Sequence, residues 1–204
     1  MRLCERYSHY YIMVGRSILL VVLLVVVIRA EDPNAVVKNI PDVKAVYNQT
    51  WYSGYLDAGD EHHMHYFYFP SQGNSSTDPL LLWFNGGPGC SSLLGAMYEH
   101  GPFIFSDAFA ILINNKYSWN KNANVLYLES PAQVGFSYTN GDPGVWTDDN
   151  VAQLNLKALK AFFKMWPELK TNSFYISGES YAGVYVPTLA EKYFNRLLQN
   201  RHLQ

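Results

Sequence analysis

The chain of 204 residues is poor in several features that would point to other protein classes. Its formal net charge is only −2 and its basic residues are scattered, which gives no case for nucleic-acid binding. Only His62, His63 and His65 have metal-like spacing, and no acid or cysteine set completes a site, so we expect neither metal nor cofactor. The only cysteines are Cys4 and Cys90. Internal repeats, low-complexity tracts and a second domain are also missing from the sequence.

A hydrophobic run long enough to cross a membrane is absent too. The longest apolar stretch, residues 18–28, falls short of the roughly 20 residues that a spanning helix needs. Arginines precede the stretch and Ala30 follows it, so we interpret residues 1–30 as a signal peptide that is cleaved after Ala30. We then expect no stable membrane anchor. A signal anchor is the alternative, because residues 10–14 can extend the apolar stretch.

Two glycosylation sequons agree with entry into the secretory pathway. Asn48 begins Asn-Gln-Thr and Asn74 begins Asn-Ser-Ser, both in polar segments typical of a surface. Secretion, or delivery to an acidic compartment of the lysosome or vacuole type, is therefore expected.

The most informative motif lies near the end of the chain. Ser180 stands in Gly-Glu-Ser-Tyr-Ala-Gly, after the apolar run 173–177 and before a helical pattern. This arrangement indicates a nucleophile elbow, in which a tight turn from strand to helix presents a serine for acyl transfer. Flanking residues must lack bulk, and we expect Gly178 and Gly183 to bracket the turn.

A glycine-rich turn about ninety residues upstream complements that serine. The buried-strand pattern 79–85 continues into Gly86-Gly-Pro-Gly-Cys-Ser-Ser. Such a turn exposes backbone N–H groups, and each donor in an oxyanion hole lowers the barrier by about 3 kcal/mol. The expected donors are Gly87 and Tyr181. A plain strand-to-helix turn is the alternative, but its coincidence with an elbow favours the oxyanion hole.

At this point the chain resembles a known family. Segments 83–92, 124–138 and 177–183 are similar to three successive signature blocks of the serine carboxypeptidases, and the resemblance extends from about Trp51 to the end. One departure is Gln133, where the family commonly has glycine. The resemblance therefore does not predict the conformation of that loop.

The resemblance implies a role for each matching position. It assigns acylation to Ser180, oxyanion binding to Gly87 and Tyr181, and an apolar pocket wall to Trp83. It also implies that Cys90 is half of a disulfide whose partner lies well downstream. The residues that would hold the free C-terminal carboxylate of a peptide are Asn85, Gly86, Glu99 and Glu179.

The two glutamates of this set predict an acidic optimum for binding. Two carboxyl groups beside a bound carboxylate favour retention of a proton in mildly acidic water. A neutral carboxyl group can then donate a hydrogen bond, whereas two ionised groups repel the substrate. An exposed helix residue is the alternative for Glu99, and a tolerated substitution is the alternative for Glu179.

The catalytic triad cannot be completed from this sequence. The expected chain order is Ser, then Asp or Glu, then His, yet only Glu191 and His202 follow Ser180. The helix after the elbow carries them away at about 1.5 Å per residue. We therefore expect the acid and the base on a missing C-terminal portion, and we expect this chain to be inactive and poorly soluble.

The fold prediction follows from the same patterns. Strand-like segments near 51–57, 64–69, 80–84, 125–129 and 174–177 alternate in part with helices. Thr147 would cap a helix that ends near Pro167, and a second helix would start at Ser180 and be bent or interrupted at Pro187. This predicts an α/β-hydrolase-type mixed, mainly parallel sheet with flanking helices over residues 31–204, incomplete at the C-terminus.

The predicted function is a serine carboxypeptidase that releases C-terminal residues from peptides through an acyl-serine intermediate at acidic pH. Peptide or protein C-termini would be its substrate partners. Two alternatives remain open, a non-catalytic truncated homologue and an acyltransferase of the same scaffold. The sequence gives no oligomeric state.

Overall fold

The computed structural model describes residues 36–37, 40–106 and 111–201. The predicted signal peptide and His202 lie outside the described residues. Within the described part of the chain, no helix combines the length and the apolar character that crossing a membrane requires.

A six-stranded mixed sheet is the centre of the fold, with strand order β1-β2-β6-β3-β8 and β7 paired to β2. β1 and β2 are antiparallel, as are β2 and β6, whereas β3 runs parallel to both β6 and β8. A separate antiparallel hairpin consists of β4 and β5. The strands are β1 (Tyr52–Asp57), β2 (His62–Phe69), β3 (Leu80–Phe84), β4 (Phe103–Phe105), β5 (Leu112–Asn114), β6 (Asn124–Leu128), β7 (Tyr138–Thr139) and β8 (Phe174–Gly178).

Both faces of the sheet are buried at its central strands β2, β3 and β6, which explains their nearly continuous apolar sequences. Alternate residues of one strand point to opposite faces. In β3, Leu80, Leu82 and Phe84 join the core on one face, and Trp83 joins the core on the other. The uninterrupted apolar pattern of β3 therefore reflects burial on two sides.

Two helices cover the first face. α2 (Asp148–Met165) begins with a capping box in which the Thr147 side chain and Asn150 bond reciprocally, and its buried residues recur at helical spacing. α3 (Ala182–Arg201) follows the elbow and packs against β8 and α2. The predicted cap at Thr147 is confirmed. The prediction of an interruption at Pro187 is wrong, because α3 continues through that residue.

Aromatic side chains fill the second face. Short α1 (Pro41–Val46) and the β4–β5 hairpin lie here. Trp51 stacks on Phe69 with ring centroids 5.0 Å apart, and Phe103 packs edge-on against both. Sheet packing is thus the reason for much of the aromatic content.

The five predicted strands are confirmed, with ends shifted by one or two residues. His62 and His63 belong to β2, which therefore begins two residues before the predicted strand 64–69. The segment after the glycine-rich loop is a short π-helix, Gly95–Glu99, and it places Glu99 near the end of β3. α1, β7 and the β4–β5 hairpin were not expected from the sequence.

Candidate active site

The carboxyl ends of the parallel strands converge where the chain order changes direction. From β3 the chain moves to β6 on one side, and from β6 it crosses to β8 on the other. In open α/β sheets, ligand sites form in the crevice at such a switch point. β3 delivers Asn85 to this edge, β8 delivers Ser180 and β6 delivers Glu129.

Ser180 occupies a strained turn between β8 and α3. Its φ is +53°, in the left-handed region that non-glycine residues rarely adopt. Gly178 has no room for a side chain, since a Cβ there would lie 2.5 Å from Ala182 Cβ and 2.5 Å from Phe84 O. A Cβ on Gly183 would meet nothing within 4 Å. The expectation that Gly183 brackets the turn is therefore wrong, and the small residue required two positions after the serine is Ala182.

The glycine-rich loop packs directly on this elbow. A Cβ on Gly86 would lie 2.5 Å from Tyr181 N and 2.9 Å from Ser180 Cβ, so any side chain there would separate the two segments. Gly87 has φ +107°, which only glycine adopts readily. Within the described residues, the N–H groups of Gly87 and Tyr181 donate no hydrogen bond. Both donors therefore remain available beside Ser180.

Asn85 joins the two glutamates next to the elbow. Its Nδ2 donates to Glu99 Oε1 at 3.0 Å and to Glu179 Oε1 at 2.9 Å. Its Oδ1 accepts from Trp83 Nε1 and Gly95 N, both at 2.9 Å. Asn85 is 2% exposed and its amide is fully used. The groups of this cluster that face solvent are accordingly the two carboxyl groups.

Trp83 lies beneath Asn85 rather than at the surface. It is buried, and its ring contacts His100 and Trp119 edge-on. Its role as a pocket wall stays a prediction. Through the indole N–H, Trp83 fixes the orientation of the Asn85 amide, so that the amide nitrogen faces the glutamates.

His100 is a buried histidine that sequence reasoning missed. It directly follows Glu99, and its Nδ1 lies 2.9 Å from the hydroxyl of Tyr127 on β6. Burial lowers the pKa of His100 to about 4, so the ring is neutral at mildly acidic pH. The adjacency of His100 to Glu99 in the sequence was the available signal, but burial of the ring depends on packing against Trp119.

A buried glutamate, Glu129, supports the glycine-rich loop from below. Glu129 Oε1 accepts from Ser91 Oγ, and Oε2 lies 2.8 Å from both His65 Nδ1 and Phe136 N. Glu129 is fully buried. A Cβ on Gly135 would lie 1.7 Å from Glu129 Oε1, so the following loop wraps tightly around this carboxyl group. The middle signature block thus anchors, through Ser91, the glycine-rich loop that contains Gly87.

Gln133 lies in the same loop with φ +77°, and its N–H donates to Ser137 O at 2.8 Å. Glycine is the residue that such a backbone favours, which gives a physical reason for the family's usual residue at this position. Gln133 keeps the glycine-like conformation in spite of its side chain.

A pocket of about 430 Å³ borders the elbow on the side of α2. Tyr181 and Gly89 belong to its wall, together with Trp146, Val134 and Val151. The Tyr181 hydroxyl donates to Asp148 Oδ1 at 2.9 Å, and this bond raises the pKa of Tyr181. The pocket therefore has room for an apolar group beside the elbow.

The remaining predicted residues lie in different parts of the fold, with Cys90 in the glycine-rich loop itself. Ser180 Oγ forms no hydrogen bond within the described residues, and Glu191 lies on α3 well past the elbow. Cys90 is an exposed free thiol, and its disulfide stays a prediction. Asn48 and Asn74 are exposed, and their glycosylation also stays a prediction.

The three histidines of the suggested cluster point to different partners. His62 Nδ1 lies 3.2 Å from Gly59 O, His63 stacks on Tyr138, and His65 contacts Glu129. In the parts of the chain with described structure, no three metal-ligating side chains converge.

Comparison with known proteins identifies the sequence family. Residues 41–203 match the family model described as serine carboxypeptidase. The mouse lysosomal protective protein is 53% identical over 139 residues, covering 68% of this chain and 29% of that protein. Serine carboxypeptidase-like 20 of Arabidopsis thaliana is 43% identical over 178 residues, covering 83% of this chain and 36% of that protein.

A solved structure extends the likeness to the fold. Kex1, a prohormone-processing carboxypeptidase from Saccharomyces cerevisiae, superposes with a TM-score of 0.62 at 30% identity, covering 72% of this chain and 34% of that one. The fold is therefore of the α/β-hydrolase type. The chain spans about a third of the length of these relatives. The family match and the shared fold together show that this chain belongs to the serine carboxypeptidase family.

Proposed function

We propose that this chain forms the nucleophile and substrate-carboxylate half of a serine carboxypeptidase that releases single C-terminal residues from peptides. The contact of Gly86 with Tyr181 N and Ser180 Cβ is the observation that carries the proposal, because it brings the oxyanion loop onto the elbow. The acid and histidine of the triad would come from sequence beyond Gln204 in a longer form of the protein.

The reaction begins at the exposed hydroxyl of Ser180. Oγ attacks the last peptide carbonyl while the histidine takes its proton, and the carbonyl oxygen becomes an oxyanion. The N–H groups of Gly87 and Tyr181 donate to that oxygen. The histidine then protonates the leaving amine, the C-terminal residue departs, and water hydrolyses the acyl-serine ester by the same steps.

Recognition of the free C-terminus falls to the cluster around Asn85. Glu99 and Glu179 share the Asn85 amide and face solvent beside the elbow. A protonated carboxyl group of this pair can donate a hydrogen bond to the substrate carboxylate. At higher pH the ionised pair repels the same group. The proposed enzyme therefore binds peptides best under acidic conditions, with KM rising toward basic pH.

The compartment that fits this chemistry is acidic. The name of the mouse relative places that protein in the lysosome. For this chain we propose a secretory route that ends in a lysosome-like or vacuole-like compartment. Cleavage of residues 1–30 and glycosylation at Asn48 and Asn74 would accompany that route.

The proposal is tested with a longer form of the protein whose reading frame continues beyond Gln204. Incubation with N-blocked dipeptides should release the C-terminal amino acid, and the Ser180→Ala variant should lose at least about a thousandfold in kcat. Ser177→Ala is the matched control, because its hydroxyl donates to Leu82 O inside the sheet at 3.0 Å and points away from the chemistry.

Three outcomes would contradict the proposal. They are a continued frame without a later Asp and His, hydrolysis that survives in Ser180→Ala, and transfer of the acyl group to an added alcohol in preference to water. The last result would instead identify an acyltransferase.

A further inference from the structure

The site beside Glu99 contains a buried hydrogen-bond donor that the proposed mechanism does not use. His100 is 7% exposed, and its Nε2 has no hydrogen-bond partner within the described residues. This nitrogen lies 3.9 Å from Glu99 Oε2. A buried polar atom without a partner costs about 1–3 kcal/mol, so its position calls for a physical reason.

Tyr127 determines which nitrogen of His100 carries the proton. Burial, together with the charge of Glu99, raises the pKa of Tyr127 well above its usual value, so the phenol keeps its proton. The hydroxyl lies 2.9 Å from His100 Nδ1 and has no other hydrogen-bond partner within the described residues, so we infer that the phenol donates to Nδ1. A neutral imidazole has one N–H group. That group is therefore Nε2–H, on the side of Glu99.

The imidazole ring cannot easily turn away from this direction. Trp119 lies parallel to it with ring centroids 4.0 Å apart and an interplanar angle of 12°. Trp83 closes the edge at 4.3 Å, and Trp119 N donates to His100 O at 3.0 Å. By contrast, the Glu99 side chain is 34% exposed and has room to move. Closing the gap from 3.9 Å to hydrogen-bond length therefore requires motion of the glutamate alone.

We propose that His100 is a positioning residue for substrate recognition: its Nε2–H donates to Glu99 Oε2 when a carboxylate ligand enters. This inference rests on the proposed function of the Asn85 cluster. Asn85 Nδ2 already holds Oε1 at 3.0 Å, so the Glu99 carboxyl group would be fixed from two sides. The arrangement orients Glu99 toward a free carboxylate and gives no advantage to a C-terminal amide.

The tautomer is tested first, on the longer form of the protein and without any activity measurement. In ¹⁵N-histidine-labelled protein at neutral pH, two-bond ¹⁵N–¹H correlations should show His100 as the neutral Nε2–H form. The same spectrum of Tyr127→Phe identifies the resonance and should show the Nδ1–H form gaining population. A wild-type ring protonated at Nδ1 would overturn the inference.

The recognition role is tested with His100→Leu, which removes the donor, and His100→Gln, whose side-chain N–H replaces it. Calorimetric titration of the longer form compares leucine with leucinamide. We expect His100→Leu to weaken leucine binding about tenfold, equal to about 1.4 kcal/mol, to leave leucinamide binding unchanged, and to be largely restored by His100→Gln.

Kinetics on the same variants complete the test. For a peptide with a free C-terminus, KM should rise about tenfold in His100→Leu while kcat stays within about twofold. Equal losses for acid and amide ligands, or a fall in kcat at constant KM, would contradict the positioning role. If the wild-type protein binds leucine but cleaves no peptide, the proposed function fails and the binding data still decide the role of His100.

Discussion

Two buried histidines each face a glutamate, and the difference between the two pairs separates structural support from ligand recognition. His65 lies 2.8 Å from Glu129, whose oxygens also accept from Ser91 Oγ and Phe136 N. His100 lies 3.9 Å from Glu99, whose carboxyl group accepts only from Asn85 within the described residues. A carboxyl group with all its partners inside the protein stabilises the fold. A carboxyl group with an incomplete set of partners is available to a ligand.

The largest expected effect comes from removing each glutamate in turn. Glu129→Ala leaves His65, Ser91 and a backbone N–H without their acceptor, and it should lower the free energy of unfolding by about 3–5 kcal/mol. Glu99→Ala is the matched variant and should lower it by no more than about 1 kcal/mol, because the side chain is partly exposed. Urea denaturation measures both. Equal losses of unfolding free energy in the two variants would contradict the distinction between the His65–Glu129 and His100–Glu99 pairs.

Acid should affect the His100 pair in a defined pH window. The pKa of His100 is about 4 in the folded protein and about 6.5 in the unfolded chain. Between these pH values the His100 imidazole binds a proton in the unfolded chain but not in the folded protein. The free energy of unfolding therefore falls as pH drops from 6.5 to 4. Across this window, protonation of His100 lowers the free energy of unfolding by about 3 kcal/mol in total.

The measurement compares wild type with His100→Gln, which cannot titrate, by urea denaturation at several pH values. The variant should lose less stability across the window. Groups facing His100 are Glu99 and Tyr127, with Trp83 and Trp119 closing the ring faces. The same pH dependence in both proteins would show that His100 does not account for the acid sensitivity.

A smaller effect is expected in the loop that encloses Glu129. Gln133 has φ +77°, and glycine adopts this conformation at about 1 kcal/mol lower cost. Gln133→Gly should therefore raise the free energy of unfolding by up to about 1 kcal/mol, less the extra chain entropy of glycine in the unfolded state. Gln133→Ala is the control and should bring no gain. Thermal unfolding of both variants gives the comparison, and a gain in the alanine variant would rule out relief of backbone strain.

Local patterns were sufficient to predict the elbow and its partner loop. The strand, turn and helix around Ser180 depend on residues close in sequence, as do the glycines after β3. Ala182 was overlooked as the crowded position because Gly183 is the more conspicuous small residue. Pro187 lies inside α3 and leaves it unbroken, so the loss of one backbone N–H is not enough to end this helix.

The supporting groups could not be predicted in the same way, because long-range packing assembles them. His65 and Glu129 are separated by 64 residues, and His100 and Tyr127 by 27. A histidine in a sequence carries no sign of whether its partner is a carboxyl group, a phenol or water. Antiparallel pairing of β2 with β6 is what brings His65 to Glu129.

The central claim is that Ser180 is the nucleophile and that it lies beside the N–H groups of Gly87 and Tyr181, which bind the oxyanion. The most direct measurement is labelling of the longer form with a fluorophosphonate, followed by peptide mass spectrometry. The account predicts one adduct, on Ser180, at mildly acidic to neutral pH, with no adduct in Ser180→Ala and full labelling in Ser177→Ala. An adduct on another residue, or none in a folded protein that has the later Asp and His, would contradict it.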